Sequence, residues 1–494
     1  MSGDDRHLEV AWTRACDGLG IGRGTPLAAS EASVLLKYLI SERASVPEGP
    51  DCCARDRCRR AWLEWMAAGA QDLDGALRPG AAPAVRGVLE SDAEYAGRVI
   101  DLAVADLVSE PMAPEVCIET VPLGGLPPGG RWNHAVIFAS APLITHEIYP
   151  LAADACVHDA RAGGPFYRVL GVHGDWLSNG RARRVMWLDA ERDRFSEAAL
   201  SEPVHLHSAQ LLALGPQQTS CHLVWARRLT CPLVNPAPPS ATADDKHGLS
   251  RRWGDAGLEV PAGVLVGPGH RLAARDFLHR TGEIVVKPND GTEGRGVRYL
   301  SASAPEAEEL LNVQLSACWE WGPARLEERR DGIVWRDPET GSCHSLALRL
   351  HVAAGAAGLR AESGYALVGA GVDTPATRGA GGRMRPLQSV TSSLALRASG
   401  AGVAFSGADL ERTRRLAEAA SGIVGGIGLS GVDLVLDATP AGEVVPVLLE
   451  LNPRPAGLAH ARFLPGSGEG RVEAGVSLDV WDGLAALCRK TAAE

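Results

Sequence analysis

EIVVKPNDGTEGRGVR, residues 283–298, is the stretch on which the reading of the fold turns. Ile284, Val285 and Val286 form a short apolar run of the kind that makes a buried strand, and the run ends at Lys287. Behind it, NDGTEGRG places Gly291, Gly294 and Gly296 within six residues. Glycine lets backbone N–H groups approach phosphate oxygens with no Cβ in the way, and Lys287 adds a fixed positive charge. No GK[ST] follows, so this is not a Walker loop, and the glycines do not open a helix as a dinucleotide fingerprint would. A glycine-rich turn after a strand is equally what a plain hairpin shows, so a second segment has to decide.

That segment is GVDLVLDATPAGEVVPVLLELNPRPAG, 431–457. VDLVLD and VVPVLLELN read as antiparallel strands joined by the turn ATPAGE. Asp433 sits on the first strand. Glu450 and Asn452 stand two apart on the second, so both leave the same face. Two carboxylates and an amide oxygen are hard donors of the kind that hold Mg²⁺ against phosphates. Acidic groups inside apolar strands are costly without a cation or a hydrogen-bond partner, and Arg454 is a nearby structural alternative as that partner.

Together the two segments resemble the ATP-grasp superfamily, in its glutathione-synthetase-like branch. KPNDGTEGRGV resembles that family's strand and phosphate-covering loop, and LLELNPRPAG its magnesium-bearing strand. The two lie in the family's order, about 160 residues apart. Upstream, LVNPAPPSATADDKHGLSRRWGDAGLEVPAGVLV (233–266) is similar to the family's entry into the ATP region, which puts Lys246 at the first nucleotide lysine and Lys287 at the second. Downstream, LALRLHV (346–352) resembles the strand whose arginine, here Arg349, contacts the terminal phosphate. TRGAGGRMRPL (377–387) resembles a loop with substrate-side arginines, here Arg378 and Arg383. That loop is shorter than in glutathione synthetases and carries Ala380 where they have asparagine. The adenine hinge falls near ARLEERRDG (324–332), with Glu327 and Glu328 as candidates. The resemblance covers about residues 231–460, half the chain.

What the resemblance implies is two α+β subdomains gripping ATP, preceded by an α/β domain. The reaction it implies is carboxylate–amine ligation through an acyl phosphate, on amino acids or small acids. Lys246, Lys287 and Arg349 would offset phosphate charge, and Gly291, Gly294 and Gly296 would cover it. Asp433, Glu450 and Asn452 would hold Mg²⁺ or Mn²⁺. Arg378, Arg383 or Arg454 would hold the acceptor carboxylate or the oxyanion. The rival readings are an ATP-grasp enzyme with another outcome, such as a thioester ligase or kinase, and a non-catalytic nucleotide-binding protein.

The rest of the chain sets the frame. At 494 residues, with 49 Lys plus Arg against 60 Asp plus Glu, it carries a net charge of −11. That balance argues against a nucleic-acid partner, whose affinity rests on neutralising phosphates. No apolar run long enough for a membrane helix is present, and the start MSGDDRHLEV carries no signal-peptide pattern. The 11 cysteines, including the cluster Cys52, Cys53 and Cys58, read as reduced thiols of a cytoplasmic chain. The expected organisation is a helical extension over 1–130, an α/β domain over 131–240 with a partly parallel sheet, and the ATP-grasp domain over 241–494. Within the middle part, 134–140, 166–172, 184–189, 221–225 and 231–235 read as strands, and 147–157 and 207–214 as helices. His205 and His207 would share a face if they lay in a strand. The unmatched front and the composition suggest specialised metabolism, and a homo-oligomer is in keeping with such families.

Overall fold

The computed structural model describes residues 118–120, 126, 132–138, 151–152, 155, 158–160, 167–173, 177–189, 194–212, 218–290, 296–320, 322–355, 357–377, 382–455 and 481. The helices expected before residue 110 lie outside the described residues. So do Gly291, Gly294 and Arg378.

The chain forms two compact units, one of residues 1–237 with 481–494 and one of 238–480. The first holds a mixed sheet of β1 (Ile118–Thr120), β2 (Trp132–Phe138), β3 (Tyr167–His173), β4 (Leu177–Ser178), β5 (Arg181–Asp189), β6 (Arg194–His205) and β7 (Ser208–Leu211), followed by helix α1 (Gln218–Arg228). Strand order is β1-β6-β5-β3-β2-β7, with β4 beside β5. The β1–β6, β2–β3 and β2–β7 pairs are parallel and the others antiparallel, so the sheet is partly parallel as expected. Ile118–Thr120 is a strand inside the stretch expected to be a helical extension.

Two local assignments reverse. Residues 208–211, read as helix, are the strand β7, buried at every position and paired with β2. A strand covered on both faces loses the alternation that would betray it. Residues 221–225, read as strand, lie in α1, whose last turn carries Arg227 and Arg228 where cations favour a helix C-terminus. Of 231–235, Leu233 makes one isolated bridge to Ala209.

The second unit begins with α2 (Ala237–Asp244, its first residue the last of the other unit) and α3 (Lys246–Asp255). Asp245 caps α3, its carboxylate accepting from the Gly248 amide at 3.1 Å. A four-stranded sheet, order β10-β9-β11-β8, follows: β8 (Gly263–Val266), β9 (Glu283–Pro288), β10 (Arg298–Ser301) and β11 (Ala324–Glu328). Helices α4 (Arg271–Thr281) and α5 (Ala307–Trp319) bury Phe277, Leu278, Leu311 and Leu315 with Ile284, Val286 and Leu326 of this sheet.

Strands β12 (Ile333–Arg336), β13 (Cys343–His344), β17 (Leu394–Leu396) and β18 (Gly402–Val403) make a small sheet. A five-stranded antiparallel sheet, order β16-β15-β14-β19-β20, completes the unit. It comprises β14 (Leu346–Gly355), β15 (Gly358–Val368), β16 (Arg383–Pro386), β19 (Leu429–Ala438) and β20 (Val444–Asn452), with α6 (Leu387–Thr391) and α7 (Gly407–Val424) in the connections. Leu350, Val352, Val432, Leu434, Leu448 and Leu451 pack on Leu249 and Trp253 of α3 and on Ala417 and Ala420 of α7. Each large apolar side chain so buried contributes about 1.5–3 kcal/mol. The Trp253 indole donates to the Ala420 carbonyl at 3.0 Å, so its one polar atom is satisfied. With helices on this face, residues of opposite parity project from the other.

Candidate nucleotide site

Those opposite-parity residues build the site. Arg349, Asp433 and Glu450 are successive cross-strand partners on β14, β19 and β20. Arg349 donates to Asp433 through Nε and Nη2, both at 2.6 Å. Gly431, on the next position of this face, makes room: a Cβ there would stand 3.3 Å from Arg349 Cδ and from Pro455 Cβ. Asn452 donates its amide to Asp433 at 3.1 Å and to Glu450 at 3.5 Å. The ATPAGE hairpin thus brings Asp433, Glu450 and Asn452 together as read from the sequence. Arg349 is the salt-bridge partner of Asp433 and Lys246 that of Glu450, while the Arg454 guanidinium pairs with Asp244 at the end of α2.

The two lysines arrive from different elements. Lys246, the first residue of α3, places Nζ 3.5 Å from Glu450 Oε2. Lys287, at the end of β9, places Nζ 2.8 Å from Glu327 Oε2. Its charge is also felt at Glu450, so the strand carrying it and the Glu450 edge share one electrostatic neighbourhood. Asn289 fastens the end of β9 to the start of α3. Its Oδ1 accepts from the His247 amide at 3.0 Å, and its Nδ2 donates to Asp245 at 3.1 Å.

Glu327 is 1% exposed, and so is Arg325, whose Nε lies 2.6 Å from Glu327 Oε1. Expected at the adenine, Glu327 is instead the buried counter-ion of Lys287 and Arg325. Glu328 is the more open of the pair and faces Arg330 at 3.9 Å. Arg325 is not singled out in the sequence, where the resemblance puts the adenine hinge near ARLEERRDG and points to Glu327 and Glu328; only its pairing opposite Lys287 reveals it.

Arg383 is not brought to this cluster. Its partner is Val368, which pairs with Leu346, three residues from Arg349 and so on the other face of the sheet. Met384 takes the Arg349 face instead, beside Leu367 and Tyr365. Gly296 has φ +70°, a left-handed conformation that favours glycine, and its carbonyl accepts from Gln314 at 2.5 Å. His205 ends β6 with His207 just beyond it, the rings 5.0 Å apart. The His207 Nδ1 accepts from the Asn133 amide, which leaves the proton on the outer nitrogen of the neutral ring.

Burial pushes the Lys287 ammonium below its ordinary value, with Glu327 opposing that fall and Arg325 adding to it. Burial would raise the Glu450 carboxyl, but Lys246, Lys287 and Arg349 outweigh it and hold it at about 2. Asp433 is pushed up to about 6 by burial, which exceeds the pull of Arg349, and by the Glu450 charge opposite. Two carboxylates facing each other resist double ionisation until a cation joins them.

The donor chemistry fits a hard divalent cation: two carboxylates on neighbouring strands and an amide within 3.5 Å of both. Among the described residues no group of three or more His, Cys, Asp and Glu gathers, and the amide oxygen of Asn452 is a third donor beside the two carboxylates. Asn452 now offers its NH₂ to the carboxylates, and turning the amide over presents that oxygen.

No protein-family model matches the chain, and no curated protein matches it. Solved structures do. A D-cycloserine synthetase, DcsG, is 17% identical with a TM-score of 0.45, over 72% of this chain and 99% of that one. A D-alanine–D-alanine ligase from Bacillus anthracis, complexed with ATP, is 13% identical with a TM-score of 0.42, over 73% and 98%. The ATP-grasp ligase PsnB, complexed with minimal precursor, is 16% identical with a TM-score of 0.39, over 71% and 98%. Identities under 20% and scores under 0.5 leave the residue geometry to carry the function.

Proposed function

We propose that this chain is an ATP-dependent ligase of the ATP-grasp type. It would join the carboxylate of an amino acid or small acid to an amine, with ADP and phosphate as products. The observation that carries the reading is Lys246 at 3.5 Å from Glu450, with the charge of the buried Lys287 also reaching that carboxylate, beside a hard-oxygen set. A triphosphate needs both: positive charge to bind and oxygens to hold its metal ion.

A carboxylate resists an amine because oxide is a very poor leaving group, and phosphorylation supplies a better one. The carboxylate oxygen attacks the γ-phosphorus and ADP departs. The amine then adds to the acyl carbon, and phosphate leaves. In this scheme Lys246 and Lys287 bind phosphate oxygens, and each has a carboxylate partner that holds it in place beforehand. Arg349, fixed from behind by Asp433, stands at the centre of the sheet face to steady the transferring group. Asp433, Glu450 and Asn452 would hold Mg²⁺, which when bound supplies charge neutralisation to the phosphates. Substrate-side arginines are sought in Arg378 and in Arg454, which borders this face through its pairing with Asp244.

The test is incubation with ATP, Mg²⁺ and pooled amino acids, following phosphate and the adenine nucleotide. ADP and phosphate formed only when an acid and an amine are both present is the expected result. AMP as product, or ADP with a stable phosphate ester formed on a substrate hydroxyl and no amine required, would assign another outcome. No nucleotide turnover in any mixture would leave a nucleotide-binding protein.

A further inference from the structure

Lys287, Arg325 and Glu327 form a row on one face of the four-stranded sheet. Arg325 is the cross-strand partner of Lys287, and Glu327 stands two residues on from Arg325. Lys287 is 6% exposed and the other two 1%. Glu327 gives Oε2 to Lys287 and Oε1 to Arg325. The far end of Arg325 donates through Nη1 to the main-chain carbonyl of Lys246. Gly263, opposite Glu327, lets the strands approach, since a Cβ there would meet the Leu326 carbonyl oxygen at 2.9 Å.

The row therefore holds two cations on a single carboxylate in a place with little water. One positive charge is left over within the row itself, offset only from beyond it by Glu450 at Lys287 and Asp245 at Arg325. Lys246 is answered by Glu450, and Arg349 by Asp433. Asp245 caps α3 through the Gly248 amide and accepts from Asn289, one step outside the row. His247 carries no charge to spare, its imidazole held below the ordinary range by burial and by Arg325. A buried surplus charge is costly, and an arriving anion relieves it.

We infer that Arg325 is a positioning residue of the nucleotide site: it shares Glu327 with Lys287, so that Lys287 is not neutralised, and it braces the backbone of Lys246. This rests on the nucleotide-binding reading above. Without Arg325, Glu327 and Lys287 close into a neutral one-to-one pair, and a phosphate must compete with Glu327 for the ammonium. A triphosphate is the chemistry the row is charged to receive, whatever base is attached to it.

The experiment measures binding of ATP·Mg²⁺ and of inorganic tripolyphosphate to the full chain by calorimetry, with turnover alongside. Arg325→Met is expected to weaken both ligands by about tenfold or more, the scale of one lost charge near the ligand. Arg325→Met combined with Glu327→Gln returns the row to a single unneutralised lysine and is expected to recover most of that loss. Arg325→Lys keeps the charge but cannot span both Glu327 and the Lys246 carbonyl, so it should keep tripolyphosphate affinity while kcat falls.

Parent-like binding by Arg325→Met would overturn the inference. So would a double variant that binds no better than the single one. Should Arg325→Met not fold, the charge-balanced double variant and Arg325→Lys decide: weak binding by both, with thermal stability intact, overturns it. A parent protein that binds neither ligand removes the nucleotide reading itself, and the inference with it.

Discussion

In the four-stranded sheet, one carboxylate serves two cations: Glu327 meets Lys287 at 2.8 Å and Arg325 at 2.6 Å. In the five-stranded sheet, Asp433 receives one guanidinium through both oxygens at 2.6 Å. Both arrangements bury charge inside β structure, but the first is left short of negative charge and the second is closed. The difference separates a row that is balanced only by its ligand from a pair that is balanced beforehand. An overcharged row gains stability from an anionic ligand, whereas a closed pair is held in place without one and loses much if a member is removed.

The largest effect expected from this contrast falls on the closed pair. Asp433→Leu alone leaves Arg349 buried without its carboxylate and should cost about 3–5 kcal/mol in chemical denaturation. Arg349→Met with Asp433→Leu should recover most of that. A single variant as stable as the parent would break the comparison at its structural end.

At the other end, Lys287→Ala should lose on the order of 100-fold or more in turnover, the scale of one removed electrostatic donor. Its stability should change little, because a cation leaves a row that had one too many. Near-normal ATP-dependent activity in that variant would take Lys287 out of the mechanism.

Glu450→Gln sharpens the boundary between the two regions, since Glu450 answers Lys246 and also faces Asp433. It should raise the Mg²⁺ concentration needed for half-maximal turnover by about tenfold, as loss of a hard anionic ligand does. An unchanged metal titration would count against the metal site.

The smallest effect is on pH dependence. Burial lowers the Lys287 pKa, so the ammonium loses its proton, and nucleotide affinity declines, at a pH below the ordinary lysine range as the solution is made alkaline. Lys287→Arg, which stays protonated, should flatten that alkaline limb. Persistence of the same limb in the arginine variant would assign it to another group.

Much of this was legible because strand alternation is a strong constraint. Glu450 and Asn452 could be put on one face from spacing alone, and the pairing of β19 with β20 adds Asp433 opposite Glu450. Lys287 could be put at a strand end for the same reason. Arg325 could not be found that way, because its meaning depends on the register of β11 against β9, which no local pattern states. The same gap misassigned Glu327, whose place in the row follows from that register and not from its neighbours in the chain. Arg383 was sought at the site from its loop, but the parity of β16 against β15 turns it to the other face. Residues 208–211 misled through composition: Ala, Gln and Leu favour helix, and parallel pairing in a buried strand overrode that preference.

Lys246 is gripped at both ends. Its carbonyl is held by Arg325 of one sheet and its ammonium by Glu450 of another. The same parts are also tied by Arg330 to Asp437 and by the Leu448 amide to the Glu259 carbonyl. A phosphate that draws the ammonium off Glu450 would therefore slip one mooring of several, leaving the flexible four-carbon stem of Lys246 to follow the cargo while the sheets stay berthed.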